Sequence, residues 1–290
     1  MKKLFAIIIT LMLIVSAAGV AACGGKNAND ETMIIENLVL VQESYGIAGR
    51  KEDKAFISEI NDALIAIRET GYKNVAEKYG FEKELAITEN AVNPLVGATD
   101  DSWEKIKASG KIIIGYTVFA PIAYSAENGD LTGFDIDLAK ETVKYLNEKY
   151  ALNLRAEFQI ITWSAKEVNL TEGTIDLIWN GLTITSDREE SMCISVPYLY
   201  NNQVAVIRKS NEADYTNDTA TFANAVFGAE KGSAGEEVIT ANNFGKEKLA
   251  FKSQLDAYNQ LKAGTVDVII IDSVMANYYI GTEKQARESK

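Results

Sequence analysis

Asp176-Leu177-Ile178-Trp179-Asn180-Gly181-Leu182-Thr183-Ile184-Thr185-Ser186-Asp187-Arg188 decides the fold. Residues 175–179, an apolar run except for Asp176, read as a strand bounded by Thr174 and Asn180. The run passes through Asn180-Gly181 into a polar segment that ends on an arginine set between Asp187 and Glu189. Working outward, residues 111–116 and 155–161 read as further strands. Between them Leu138, Ala139, Thr142 and Leu146 share one helical face, with Asp135 as a cap. A weak helix runs to Leu170. Downstream, residues 204–208 read as a strand, and residues 225–229 open a second series. It continues with a helix from Glu236, a strand at 249–251, a helix at 255–261 and a strand at 266–271. Strands alternating with helices of this length predict α/β layers with mainly parallel sheets. Two series, over residues 103–200 and 206–280, predict two lobes rather than one sheet.

The first hundred residues read differently. Residues 38–41 and 45–50 suggest two short strands. Over residues 53–69, Phe56, Ile60, Ala63, Leu64 and Ile67 fall on one face of an amphipathic helix that Gly71 stops. A shorter helix follows through Val75 and Tyr79. Pro94 and Gly97 mark residues 88–101 as a linker. At the start, Lys2 and Lys3 precede an apolar run that closes on Val20-Ala21-Ala22-Cys23-Gly24. That is the pattern of an export signal, residues 1–22, cut before a cysteine that takes a lipid. Residues 23–33 would be the lipidated tether of a protein held on the outer side of the cell membrane. With Cys23 acylated, Cys193 has no partner and reads as a buried small hydrophobe.

Composition narrows the function. The net charge is −12 and the pI about 4.7, a balance that disfavours nucleic acid. The chain contains no histidine, which excludes histidine triads and histidine metal ligands. No cofactor is expected.

Several segments together resemble the polar amino-acid-binding proteins of ABC transporters, the bacterial extracellular solute-binding proteins of family 3. They are Tyr116-Thr117-Val118-Phe119-Ala120-Pro121, then Gly133-Phe134-Asp135-Ile136-Asp137, the stretch quoted above, Pro197-Tyr198 with Gln203, Gly232-Ser233-Ala234-Gly235-Glu236, and Gly264 through Asp272. The resemblance covers residues 104–280 and implies a two-lobed periplasmic-binding-protein type II fold. The family's hinge strand and final helices would follow Asp272. Here their likeness stands at the front, in Tyr45-Gly46-Ile47-Ala48 and in residues 54–79. The resemblance therefore implies a circular permutant. Residues 45–88 and 104–200 would form lobe 1, residues 34–42 and 206–280 lobe 2, and residues 89–103 the permutation linker. The tether would enter through lobe 2.

The same resemblance implies a site for a free amino acid. Arg188 would take the carboxylate in a bidentate grip that lysine cannot copy. Thr183 would donate its hydroxyl, and the amides near Ser233 and Ala234, before a helix, would assist. Asp272, ending a strand of Val and Ile, would take the ammonium with the Gly181 carbonyl. Phe119 and Trp163 would stack on the ligand side chain, and Asn180, Tyr116 and Glu230 would line the pocket. Each has a plainer reading. Arg188 alone reads as a solvated charge, Asp272 as a helix cap, and Phe119 and Trp163 as core aromatics. Tyr116 stands where several relatives carry an aspartate, which disfavours a cationic ligand. Glu230 disfavours an acidic one. A polar uncharged or sulfur-containing amino acid is expected, with a basic one next. Hinge closure around the ligand, by a monomer, would present it to an ABC permease. The rival readings are a dehydratase of aromatic-acid biosynthesis on the same fold, with Glu230 as its acid or base, and the sensor module of a receptor.

Overall fold

The computed structural model describes residues 31–38 and 40–288. The expected signal, Cys23 and most of the tether lie outside the described residues. The elements run β1 (Thr32–Ile34), β2 (Val41–Arg50), α1 (Lys54–Ala66), α2 (Lys73–Tyr79), α3 (Ser102–Ser109), β3 (Lys111–Tyr116), the small hairpin β4 (Tyr124–Ser125) and β5 (Leu131–Thr132), and α4 (Phe134–Tyr150). Then come β6 (Arg155–Ile160), α5 (Lys166–Thr171), β7 (Leu177–Thr183), α6 (Ser186–Ser191), β8 (Met192–Ile194), β9 (Leu199–Arg208), β10 (Val226–Glu230), α7 (Ala234–Ala241), β11 (Glu247–Phe251), α8 (Gln254–Ala263), β12 (Val268–Asp272) and α9 (Ser273–Glu288).

The main sheet has the order β11-β10-β12-β9-β2-β7-β3-β6. At one end β11, β10 and β12 are parallel; at the other, β6, β3 and β7 are parallel. Such triplets need helical crossovers, which cover both faces. Each end accordingly has an apolar cluster on either face. One pair is centred on Phe227 and Ile270, and on Val206 and Ile269. The other is centred on Ile114, Phe134 and Leu177, and on Ile178 and Trp163. The two ends are joined by an antiparallel ribbon. Residues Val41 to Tyr45 of β2 pair with β9, and from Tyr45 onward β2 pairs with β7. Likewise β9 leaves β2 at Gln203 and continues along β12. Both strands thus pass from one half to the other.

Some elements depart from the sequence reading. Thr32–Ile34, which begins in the last residues of the expected tether, is a strand paired with Val206 to Arg208. In place of the two short strands read at 38–41 and 45–50 there is one strand, Val41–Arg50, because Gln42, Glu43 and Ser44 all find partners on β9; Leu38 and Leu40 lie outside it. Gly71 does not stop the helix: the chain continues through a π-type turn, Arg68–Tyr72, into α2. Its hydrogen instead allows close packing on α4, since a Cβ there would lie 3.1 Å from Glu141 Cβ. Asp135 is not the cap of α4, whose N-cap is Gly133 with φ of 127°. Residues 89–103 are tied onto α1. Asn93 Nδ2 donates to the Ser58 carbonyl at 2.9 Å and to Asp62 at 2.8 Å. Asp100 and Ser102 accept the Ala55 and Phe56 amides at 2.8 and 2.9 Å, filling the N-terminal turn of α1 from outside the helix. Cys193 is free and buried, and burial pushes its thiol up to about 11.

Candidate functional site

The carboxyl ends of β7, β10 and β12 turn toward the ribbon, where open α/β sheets bind ligands. β7 is buried along its whole length and feeds α6, whose N-cap Thr185 accepts the Arg188 amide. This short turn folds Arg188 back on its own strand. It is 5% exposed and donates from Nη1 to the Thr183 carbonyl at 2.8 Å. Its Nη2 reaches across to the Gly232 carbonyl at 3.5 Å and to Glu237 at 3.4 Å. Lys166 arrives from the same side. Its ammonium lies 4.9 Å from the Trp163 ring centroid and donates to Gly232 at 3.2 Å. Burial, then the nearby Arg188, lowers its pKa.

Across from these cations is the turn into α7. Ser233 is the N-cap, accepting the Glu236 amide at 3.2 Å, while the Gly232 amide donates to Glu236 Oε2 at 2.7 Å. This reciprocal pair is a capping box shifted by one residue. The Ser233 amide is engaged by the Glu230 carbonyl at 3.2 Å. Ala234 therefore presents the first amide of the helix proper, which has no intrahelical acceptor. Ser164, Lys166, Thr185, Arg188, Gly232 and Glu237 border a cavity of about 650 Å³ between the two halves. Two buried cations thus lie beside a helix N-terminus, with Glu167, Asp187 and Glu237 on the same wall.

At the other pole, Asp272 ends β12 at 5% exposure. Its Oδ1 accepts from Tyr45 Oη at 2.6 Å, Asn201 Nδ2 at 2.6 Å and Gln203 Nε2 at 3.0 Å. The Gln254 side chain donates to Oδ2 and accepts the Asp272 amide. Two more carboxyls sit beside it. Glu43 Oε1 accepts from Asn201 at 2.5 Å and Gln203 at 2.8 Å. Burial, then the Asp272 charge, pushes Glu43 up to about 8. Glu230, at the end of β10, is also pushed to about 8 by burial and then Asp272, with Lys166 opposing.

Gly181 connects the poles. At φ of 63° it brings β7 under two rings: a Cβ there would lie 2.8 Å from Phe119 and 3.2 Å from Tyr45. Its amide donates to Asp135 at 2.8 Å, and Asp135 also accepts from Tyr198 Oη at 2.8 Å. Burial raises Asp135 to about 7. From Asp272 a continuous path therefore runs through Tyr45 and Gly181 to Thr183 and Arg188.

Asn180 is buried and donates to Thr117 at 2.9 Å. Phe119 and Trp163 are each 5% exposed. Tyr116 stands half-buried and edge-on to Phe158 at 6.4 Å. Tyr45, Glu43, Lys166, Asn201 and Gln254 were not singled out from sequence. Tyr45 carried a signal, the tyrosine of Tyr45-Gly46-Ile47-Ala48, and Glu43 precedes it by one strand period. Among the described residues no helix is long and apolar enough to cross a membrane, and no acidic or cysteine group is arranged to hold a metal ion.

The family model for bacterial extracellular solute-binding proteins, family 3, matches residues 112–260. The L-cystine-binding protein TcyJ of Escherichia coli (strain K12) is 25% identical over 173 residues, 59% of this chain and 62% of that protein. The chain thus spans about three fifths of that relative's length. A probable histidine-binding protein of Neisseria gonorrhoeae is 28% identical over 199 residues, covering 67% of this chain and 71% of the relative. Among solved structures, an ABC uptake transporter substrate-binding protein from Streptococcus pneumoniae with bound histidine matches with a TM-score of 0.57 and 36% identity, over 63% of this chain and 74% of that one.

Proposed function

Because the chain belongs to the bacterial extracellular solute-binding proteins of family 3, extracytoplasmic binding proteins rather than enzymes, we propose that it captures a free α-amino acid between its lobes and presents it to an ABC permease. One observation carries the reading. Buried Arg188 and Lys166 meet the N-terminus of α7, while buried Asp272 lies beyond Gly181. A zwitterion needs opposite charges for its two poles, because each must be paired once it leaves water. Arg188 and Thr183 would hold the carboxylate with the Ala234 amide and Ser233. Asp272 and the Gly181 carbonyl would hold the ammonium. Phe119, Trp163 and Asn180 would shape the pocket, with Glu230 at its rim. Similar proteins with names that print cystine, histidine, glutamine and arginine support an amino acid as the class.

Closure follows from placing the two poles in different lobes. A ligand that bridges them favours the closed state by its differential affinity. The two strands of the β2·β9 ribbon would serve as hinge.

The proposal includes the permutation and the anchor. Three features support the permutation. The ribbon strand β2 and the lobe-1 helices α1 and α2 precede residue 104; the family match starts only at residue 112; and Thr32 bonds Glu283 of α9 at 3.2 Å, bringing the two ends of the described chain together. Cys23 would carry the lipid. Since β1 pairs with β9 beside Arg208, the tether would lead into lobe 2.

The test is a thermal-shift screen of the purified protein against the common amino acids, cystine and ornithine. A ligand raises the melting temperature in proportion to RT ln(1 + [L]/Kd). Failure of every amino acid to shift the transition would refute the reading.

A further inference from the structure

Two buried carboxyl groups near Asp272, those of Glu43 and Glu230, are left over by the contacts proposed for the zwitterion. Asp272 and one oxygen of Glu43 absorb the donors of Tyr45, Asn201, Gln203 and Gln254. Glu43 Oε2 and Glu230 Oε1 remain buried without a hydrogen-bond partner. Their residues are 9% and 5% exposed. A buried polar atom left unpaired is costly, and each of these carboxyls feels the charge of Asp272, so together they mark a place for a further group. Glu43 and Asn201 also form part of the wall of an interlobe groove of about 1040 Å³, with Tyr124, Tyr200 and Tyr278; Glu84 and two lysines, Lys83 and the Asp137-paired Lys78, line it too. Tyr124 and Tyr278 pack against each other in its wall, ring centroids 6.0 Å apart and tilted by 46°.

We propose that Glu43 and Glu230 form a second cation subsite beside Asp272, and that the ligand is an α-amino acid with a long cationic side chain. This rests on the amino-acid-receptor reading and names its substrate class. A neutral side chain leaves both oxygens unpaired. A second carboxylate, as in cystine, adds only acceptors to this cluster and further opposes ionisation of Glu43 and Glu230. A guanidinium or ammonium supplies several donors, and its charge favours the ionised form of both carboxyls. The tyrosine-lined groove suits the alkyl stem and, through the ring faces, the cation. From sequence, Tyr116 in place of an aspartate disfavours a cationic ligand and Glu230 an acidic one, which ranks a basic amino acid second. Tyr116, however, packs on Phe158, and Glu43 is the carboxyl that reaches the cluster.

The deciding experiment is calorimetric titration of the purified protein with L-arginine, L-lysine, L-ornithine, L-glutamine and L-cystine, repeated on Glu43→Gln and Glu230→Gln. The subsite is supported if a cationic amino acid binds about tenfold or more tighter than glutamine and cystine, and if either substitution cuts that preference by about tenfold, which is 1.4 kcal/mol. Tighter binding of glutamine or cystine by the unsubstituted protein overturns the subsite and leaves the amino-acid receptor standing. A cationic preference that both variants keep also overturns it, by assigning selectivity elsewhere. Binding of none of the five, nor of any other amino acid, overturns the receptor reading and the subsite with it. The ranking by the unsubstituted protein decides the ligand class even where a variant does not fold.

Discussion

Tyr45 donates its phenolic hydrogen to Asp272 at 2.6 Å, although 227 positions of chain separate them. The bond fastens the ribbon strand β2 to the end of β12 at the point where β2 changes partners. Replacing Tyr45 with Phe removes one donor from a buried carboxylate and leaves the ring packing on Gly181 in place. Bonds to charged groups are worth about 1.5–3 kcal/mol, and a loss of that order in urea-denaturation stability is expected, with an unchanged m-value. A stability equal to that of the parent would mean that Asp272 does not depend on this hydroxyl.

Arg188 has a local and a remote task. It satisfies the buried Thr183 carbonyl and reaches Gly232 in the opposite half. Arg188→Ala should abolish the ligand-induced melting shift and lower ligand-free stability by about 1–3 kcal/mol, the cost of an unpaired carbonyl. Arg188→Lys should restore part of the stability but little of the shift, since an ammonium cannot make two parallel bonds to a carboxylate. A full ligand shift in the Lys variant would remove the bidentate grip from the mechanism.

Three buried carboxyls set the pH response. Burial is the first cause of each rise. Asp135 goes to about 7, and Glu43 and Glu230 to about 8. Tyr198 and the Gly181 amide face Asp135. Asp272, Asn201 and Gln203 face Glu43, and Asp272, Lys166 and Asp256 act on Glu230. A carboxyl raised in the folded state binds its proton more tightly there than in the unfolded chain. Its contribution is full below the unfolded value near pH 4 and is lost as pH rises through 7 to 8. Asp137 titrates lower, its burial outweighed by Lys78 and Tyr79, and so acts in more acidic solution. Ligand-free protein should therefore be more stable at about pH 5 than at about pH 8, each group contributing at most about 1.4 kcal/mol per pH unit. Denaturation curves across that range should flatten in Asp135→Asn. A stability that climbs with pH would contradict the assignment.

Gly181 is held in the left-handed region with two rings above it. Alanine there costs about 1–2 kcal/mol of backbone strain before any clash. Its methyl would then press on Phe119 at 2.8 Å, within the floor of the site. Gly181→Ala should lower the melting temperature and weaken ligand binding together. Normal binding in a destabilised variant would place the ligand away from this glycine.

What could be read from sequence was what lies close in sequence. The Arg188 bond to Thr183 spans five residues, so strand, turn and arginine stand together in one motif. Asp272 was visible because a charge ends a run of Val and Ile. Glu43 was not visible, since its partners Asn201 and Gln203 lie 158 and 160 positions away and Val41-Gln42-Glu43-Ser44 reads as a polar break. Lys166 looks like any exposed helical lysine until Trp163 and Gly232 close over it. Asp135 has the composition of a cap, and only the fold brings the Gly181 amide to it.

The chain order can be tested directly. Thr32 Oγ1 donates to Glu283 at 3.2 Å, so α9 runs beside β1 and a short linker can join residue 288 to residue 31. New ends can be opened between Gly97 and Ala98. Gly97 has no neighbour within 4 Å of a Cβ position, and Val96 is 75% exposed. This break leaves Asn93 on Ser58 and Asp62, and leaves Asp100 and Ser102 on the first turn of α1. It costs the bond from the Ala98 amide to the Leu95 carbonyl. A chain running 98–288, linker, 31–97 has every strand pairing of the parent. Exposed ends of this kind tolerate such re-joining. The rearranged protein should unfold cooperatively and bind the same amino acid within about tenfold, 1.4 kcal/mol. If it cannot fold while the parent does, α1 and α2 must precede the rest of lobe 1, and the permutation reading fails.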